Sequence, residues 1–160
     1  MSNKKIFYTN DKDKVVQVHP SPEYISQFDS EDEAIAAIIA KDIPADKQSS
    51  AIIIDKSQVP DRKFRDSWKQ ESSSVVEDMT KAKAIHMDRI RVYRNAELAK
   101  EDINYQIAFE QDNNSKKNSV ASKKQMLRDI PSTFNLSGAT NGTELDALWP
   151  SELPARPNEE

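Results

Sequence analysis

The sequence predicts an α+β protein, with a small N-terminal β-hairpin or sheet and one helix, then a long C-terminal antiparallel helical hairpin and a short terminal helix. Short β-branched and aromatic runs flank turn-forming residues near the N-terminus, which is typical of a β-hairpin. Residues 61–130 contain neither proline nor glycine, so long helices can form there without a break. A last apolar turn lies between a capping motif and a proline.

The first strands are predicted at residues 6–8 and 15–18, which enclose a polar turn. Two prolines that follow shortly afterwards end the second strand, because proline has no backbone donor. Ser30 and Glu33 have the spacing of a capping box and predict the start of a helix that ends before Pro44. This helix would cover the small sheet.

A third strand is predicted at residues 51–54, whose continuous apolar run favours burial on both faces. With it, residues 1–70 form the smallest segment that could bury a core of its own. We therefore predict a small α+β domain over residues 1–70, a polar linker over residues 71–75, a helical hairpin with a short capping helix over residues 76–150, and a flexible tail over residues 151–160.

The segment VPDRKFRDSW predicts a short helix capped by Asp61, with Phe64 and Trp68 four residues apart on one side. Two interpretations stay open. The aromatic rings could close the open side of the small sheet domain. Alternatively, they could combine with Arg62 and Arg65 to anchor a partner protein, since interfaces favour tryptophan, phenylalanine and arginine.

Ser74 and Glu77 repeat the capping-box spacing and predict the start of a helix of roughly 30 residues, about 45 Å long. Residues 112–115 would end this helix, and a second, shorter helix would end at Pro131. Apolar residues recur at helical spacing along the long helix, interrupted by Arg89. They are Ala82, Ile85, Val92, Ala96, Ala99, Ile103 and Ile107.

This apolar stripe is narrow and rich in alanine, closer to the seam of a coiled coil than to the broad face of a globular helix. One shorter helix would leave part of it uncovered. We therefore predict self-association as a homo-oligomer, or docking as a multicopy part of a larger assembly. The predicted interface residues are Ile85, Val92, Ala96, Ala99 and Ile103, together with Arg62, Phe64, Arg65, Trp68 and Trp149.

Near the C-terminus, Asn141 and Glu144 predict one more helical turn, which carries apolar residues and stops at Pro150. Trp149 lies at the end of this turn. Its large side chain is interpreted as a plug against the helical hairpin, with a role as a solitary recognition residue as the alternative.

The composition excludes several classes of enzyme. The chain has 160 residues, 2 glycines and no cysteine, so it cannot contain the glycine-rich loops of Rossmann and P-loop proteins or a cysteine-based metal site. Its 2 histidines, His19 and His86, are not part of a zinc motif. His86 is interpreted as solvated or interfacial. We predict no enzymatic activity, no cofactor and no metal site.

The charge pattern favours protein partners. The net charge of −4 is spread evenly along the chain, which argues against a dedicated nucleic-acid binder. No apolar run is long enough to span a bilayer, and the N-terminal segment does not have the pattern of a signal peptide. We expect a soluble product without a membrane partner.

One arginine cluster stands out, with Arg89, Arg91 and Arg94 close together and acidic neighbours at Asp88 and Glu97. Such alternation is typical of ion pairing on the surface of a helix. A phosphate-binding role would need more local positive charge.

The order of the segments IFYTNDKDKVVQVHPSPEY, AKDIP, VPDRKFRDSW, VEDMTKAKAIHMDRIR, KKQMLRDIP and ATNGTELDALWP resembles a family of small proteins encoded by tailed bacteriophages and prophages, often among structural genes. The resemblance covers residues 6–150. Members of that family have a proline-and-glutamate helix start where this chain has residues 141–143. The resemblance implies a late-gene product, a virion or tail component made in the host cytoplasm, and it transfers no catalytic residue.

Three functional hypotheses follow. The first is a structural or accessory virion protein that contacts tail, fibre or neck proteins. The second is an assembly chaperone for a tail fibre, which would use the same surfaces transiently. The third is a small inhibitor of a host protein, suggested by the small size and acidic balance.

Overall fold

A computed structural model describes residues 3–156 of the protein. The chain divides into two compact units, Met1–Ala82 and Lys83–Glu160. The predicted α+β class is confirmed, with a small antiparallel sheet followed by a long helix, a second helix packed against it, and a short terminal helix. The elements are β1 (Lys4–Thr9), β2 (Val15–Val18), α1 (Pro22–Ile25), α2 (Glu31–Asp42), β3 (Ile52–Asp55), β4 (Trp68–Glu71), β5 (Ser74–Glu77), α3 (Met79–Glu110), α4 (Asn114–Thr133) and α5 (Gly142–Ala147).

The first unit is built on a three-stranded antiparallel sheet in the order β2-β1-β3. Asn10 shapes the predicted β1–β2 turn, because its side-chain oxygen accepts from the backbone N–H groups of Lys12 and Lys14, both at 3.0 Å. Neighbouring residues of β1 point to opposite faces, so Ile6 and Phe7 enter two separate clusters of apolar side chains.

Each face of the sheet is covered by a different element. On one face, Ile6 packs with Ile35 and Ile38 of α2, whose first turn is capped by Ser30 as predicted, with 3.2 Å between its hydroxyl and the N–H of Glu33. On the other face, Phe7 packs with Ile54, Trp68 and Val75. The central strand is thereby buried on both sides.

The prediction that the third strand is buried on both faces is wrong. Ile54 is buried, but Ile53 is 45% exposed. The reason is topological, since β3 pairs with β1 and forms an edge of the sheet. A continuous apolar run does not reveal whether a strand is central or at an edge.

The segment predicted as a linker, residues 71–75, lies within an antiparallel β-hairpin made by β4 and β5. Ser72 takes a left-handed conformation at its turn, with φ 53°. The predicted cap at Ser74 is therefore wrong, and Asp78 occupies that role. Its carboxylate accepts from the N–H groups of Thr80 and Lys81 at 3.0 and 3.1 Å.

The predicted helical hairpin is confirmed. Helix α3 has 32 residues, and Asn113 caps α4 by accepting from the N–H of Lys116 at 3.0 Å. Helix α4 continues two residues beyond its predicted end at Pro131. In this last turn the hydroxyl groups of Ser132 and Thr133 donate to the carbonyl of Asp129, at 2.8 and 3.0 Å.

The C-terminal segment makes contacts beyond its predicted helical turn. Asn141 caps α5 as expected, accepting from the N–H of Glu144 at 2.9 Å. Residues 151–156, predicted as part of a flexible tail, contain the buried Leu153, and Arg156 pairs with Asp146 at 2.6 Å. The rest of the predicted tail, residues 157–160, lies outside the described residues.

Candidate functional site

An apolar row on helix α3 faces solvent. Val92 is 66% exposed and Ile103 is 61% exposed, and Ala96 and Ala99 between them are also exposed. The spacings of four, three and four residues place these four side chains on one side of the helix, over about 16 Å of its length. We call Val92, Ala96, Ala99 and Ile103 the α3 stripe. Ile85, one heptad before Val92, is half-buried.

Helix α4 packs on a different side of α3. Lys123 of α4 pairs with the buried carboxylate of Glu101 at 2.7 Å, and Lys124 pairs with Asp102 at 2.5 Å. At about 100° per residue, Glu101 and the buried Ala108 lie roughly opposite to the α3 stripe, and Asp102 lies about a quarter-turn from it. From Val92 on, the apolar pattern read from the sequence therefore marks an outward face of the helical hairpin, whereas Ala82 at its start is buried.

Charged residues flank the α3 stripe, and several of them form ion pairs within the helix. Arg91 pairs with Asp88 at 2.7 Å, and Lys100 pairs with Glu97 at 2.5 Å. The predicted surface pairing of the arginine cluster thus holds for Arg91, while Glu97 is engaged by a lysine. A narrow apolar row with polar margins resembles the core and rim of a protein interface.

The other predicted interface residues fall into two groups. Phe64 and Trp68 are buried within the first unit, at 0% and 4% exposure. Trp68 begins strand β4 instead of continuing a helix, and its ring meets that of Phe7 edge to face, with 6.1 Å between centroids. Trp68 therefore closes one face of the sheet, and neither aromatic ring forms an exposed anchor. Arg62 and Arg65 are exposed.

Trp149 packs against helix α3. Its ring meets the ring of Tyr93 edge to face, with 5.1 Å between centroids, and the guanidinium of Arg156 lies 4.9 Å from its centre. Its indole N–H donates to the carbonyl of Pro154 at 3.0 Å. These contacts correspond to the plug interpretation.

His86 is fully buried, and its Nε2–H donates to the carbonyl of Leu148 at 2.7 Å. The sequence interpretation of His86 as solvated or interfacial is wrong. Burial lowers the pKa of His86, and the charges of Arg156 and Arg89 act in the same direction. The ring is therefore held neutral and serves to attach the segment after α5.

A second surface, which the sequence did not indicate, lies in the first unit. Lys5 of β1, Lys56 after β3 and Arg62 line an open cleft of about 430 Å³, whose wall includes Val59 and Pro60. The remaining lining residues are Gln17, His19 and Asp61. We call this the cationic cleft. Lys5 is far in the chain from Lys56 and Arg62, and the pairing of β1 with β3 brings it to them.

Electrostatics distinguish the cationic cleft from the rest of an acidic chain. Burial lowers the pKa of His19, and the positive charges of Lys5, Arg62 and Arg65 lower it further. Within residues 3–156, Lys5, Lys56 and Arg62 form no ion pair. The cleft is therefore a region of positive potential.

Within the described part of the chain, no three histidine or carboxylate side chains form a group that could hold a metal ion. No helix there is long and apolar enough to cross a bilayer. No family model, no curated protein and no solved structure matches the chain.

Proposed function

We propose that this chain is a non-enzymatic structural or accessory protein of a tailed bacteriophage, a virion or tail-associated component that docks on a larger assembly through the α3 stripe. The exposure of Val92 and Ile103 carries the proposal, because a partner surface would remove both side chains from water. The resemblance of the motif order to phage structural-region proteins gives the biological setting: synthesis in the host cytoplasm and incorporation into the particle.

Magnitudes favour an assembly over a free pair of chains. Complete burial of Val92 and Ile103 of one chain contributes at most about 3–6 kcal/mol, since each large aliphatic side chain contributes about 1.5–3 kcal/mol, and a pair of chains that joins two stripes gains at most about 6–12 kcal/mol. Bringing two free molecules together costs an estimated 4–15 kcal/mol. The gain and the cost are of similar size, so two stripes alone leave little net affinity between isolated chains, whereas several simultaneous contacts in a particle add to it.

The test is to replace the chain in the phage that encodes it with tagged variants and to quantify it in gradient-purified particles by mass spectrometry. We expect the unaltered chain at a fixed ratio to the other particle proteins. The double variant Val92→Glu/Ile103→Glu should fold but be lost from the particle, because two buried carboxylates at an apolar contact are strongly unfavourable.

Met126→Glu is the matched control, because Met126 is 54% exposed on helix α4 and lies outside the α3 stripe. It should be incorporated normally. Absence of the unaltered chain from mature particles, with recovery on unassembled tail fibres, would replace this proposal with the assembly chaperone. Recovery on neither, or equal incorporation of the stripe variant, would refute docking through α3.

A further inference from the structure

The cationic cleft is independent of the α3 stripe and points to a small ligand. Strand pairing sets Lys5 opposite Ile54, on the same face of the sheet as Phe7. The chain then turns beyond β3, and Lys56 and Arg62 close the cleft around that end of the sheet. Three cations from three separate segments thus face one space.

The net charge of the residues that line the cleft favours an anionic ligand. Its lining holds three cations and one carboxylate, that of Asp61, which accepts from the N–H of Lys63 at 2.8 Å. With His19 neutral, the lining carries two net positive charges, although the whole chain carries −4. A dianion would neutralise this excess, whereas a single carboxylate would neutralise half of it.

The hydrogen-bond donors, the volume and the apolar wall of the cleft indicate which class of anion it fits. Arg62 offers a planar fork of N–H donors that fits phosphate oxygens, and the two lysines add mobile charges. A volume of about 430 Å³ exceeds what one inorganic phosphate fills and lies in the range of small-molecule sites. Val59 and Pro60 give the remaining space an apolar wall.

We propose that the cationic cleft binds a small organic phosphomonoester, with Lys5, Lys56 and Arg62 around the phosphate and Val59 and Pro60 against its organic part. This role is separate from docking through α3. The binding is by side chains, which is consistent with the absence of a glycine-rich phosphate loop.

The 2 histidines of the chain provide the measurement. NMR follows the imidazole signals of His19 and His86 during titration with phenyl phosphate at constant ionic strength. A bound dianion stabilises the imidazolium form, so the pKa of His19 should rise and its signals should shift to saturation at millimolar concentration or below. The buried His86 should not respond.

Three further probes define the specificity. Inorganic phosphate should bind more weakly than phenyl phosphate because it lacks the apolar part, and benzoate should bind roughly tenfold more weakly because it carries one charge. Inorganic sulfate tests for simple screening. Equal effects of phenyl phosphate, benzoate and sulfate would overturn the proposal, as would failure of His19 to reach saturation.

Variants complete the test. Lys5→Gln and Arg62→Gln should each weaken phenyl phosphate binding roughly tenfold, as expected for the loss of one charged hydrogen bond. Lys12→Gln removes one positive charge from the exposed β1–β2 turn and is the matched control. Backbone amide spectra confirm that each variant folds. Equal weakening by Lys12→Gln would show a general charge effect and contradict a specific site.

Discussion

A buried histidine attaches the C-terminal segment to helix α3. His86 donates to the carbonyl of Leu148, and Trp149 follows directly and contacts both Tyr93 and Arg156. The ring can make this contact while neutral. A proton on His86 would add a charge inside the second unit, close to the positive charges of Arg156 and Arg89, although Asp146 opposes this effect.

We therefore expect stability to depend on pH through His86. Its pKa is lowered in the folded state, so the unfolded chain binds a proton near the ordinary histidine value of about 6.5 while the folded chain does not. The contribution of the neutral His86 ring to the free energy of unfolding is fully present above that value. It is lost as the pH falls toward the lowered pKa of the folded state. Urea denaturation between about pH 7.5 and about pH 5.5 should show a falling free energy of unfolding.

The variant His86→Gln should flatten this dependence, because glutamine can donate to Leu148 without titrating. His19→Gln is the comparison, since His19 is exposed and should account for less of the slope. If the free energy of unfolding of His86→Gln depended on pH as steeply as that of the unaltered chain, the dependence would not come from His86.

Trp68 is a core residue, and its substitution should act on stability. We expect Trp68→Ala to reduce the free energy of unfolding by about 3–5 kcal/mol, because it removes the ring that packs against Phe7, Ile54 and Val75. Arg65→Ala, at an exposed position three residues earlier, should change stability by less than about 0.5 kcal/mol. A small effect of Trp68→Ala in urea denaturation would restore the exposed-anchor interpretation.

At the scale of elements, the start of α3 depends on one carboxylate. Asp78 accepts from two N–H groups of the first turn and lies at the positive end of the helix dipole. Asp78→Ala should lower the free energy of unfolding by about 0.5–2 kcal/mol, whereas Asp78→Ser, which preserves a cap, should lose less. Thermal denaturation measures both.

Ser74→Ala distinguishes the two possible caps. In the structure the Ser74 hydroxyl donates to the carbonyl of Glu71 within the β4–β5 hairpin, at 2.9 Å. Its loss should therefore matter less than the loss of Asp78. If Ser74→Ala were the more destabilising change, the helix would begin where the sequence pattern alone puts it.

Helix starts and turns that form through hydrogen bonds between neighbouring residues could be predicted from the sequence. Elements that need packing against distant residues of the chain could not. Ser30, Asn141 and the polar β1–β2 turn determine nearby structure through short hydrogen bonds, so their prediction succeeded. The polar segment around Ser72 has no apolar alternation, and its hairpin becomes favourable because Trp68 and Val75 pack on Phe7. These contacts join residues about 60 to 70 positions apart in the chain.

The two candidate sites differ in the same way. The α3 stripe is periodic within one helix, so its residues could be found from spacing, although spacing did not show which side α4 covers. The cationic cleft joins Lys5 to Lys56 and Arg62 through strand pairing, and no local pattern connects Lys5 with the other two. Isolated lysines and arginines are common on any surface, so this site could not be recognised before the fold was known.

At the scale of the whole molecule, the chain contains two compact units, and α3 runs through the boundary between them at Ala82 and Lys83. The first unit has clusters of its own around Ile6 and Phe7. The second buries Leu127 and Ile130 of α4 together with Leu145 of α5. Compact units of one chain can open separately in the native state.

We expect substitutions in the two units to act locally. Native-state hydrogen exchange should show that Phe7→Ala weakens amide protection in β1 and β3 by about 3–5 kcal/mol while α4 stays protected, because the lost contacts belong to the sheet. Leu127→Ala should weaken α4 by about 2–5 kcal/mol and leave the sheet protected. Each variant is thus the control for the other. Uniform loss of protection along the chain in both variants would mean that the continuous helix α3 makes the units one cooperative structure.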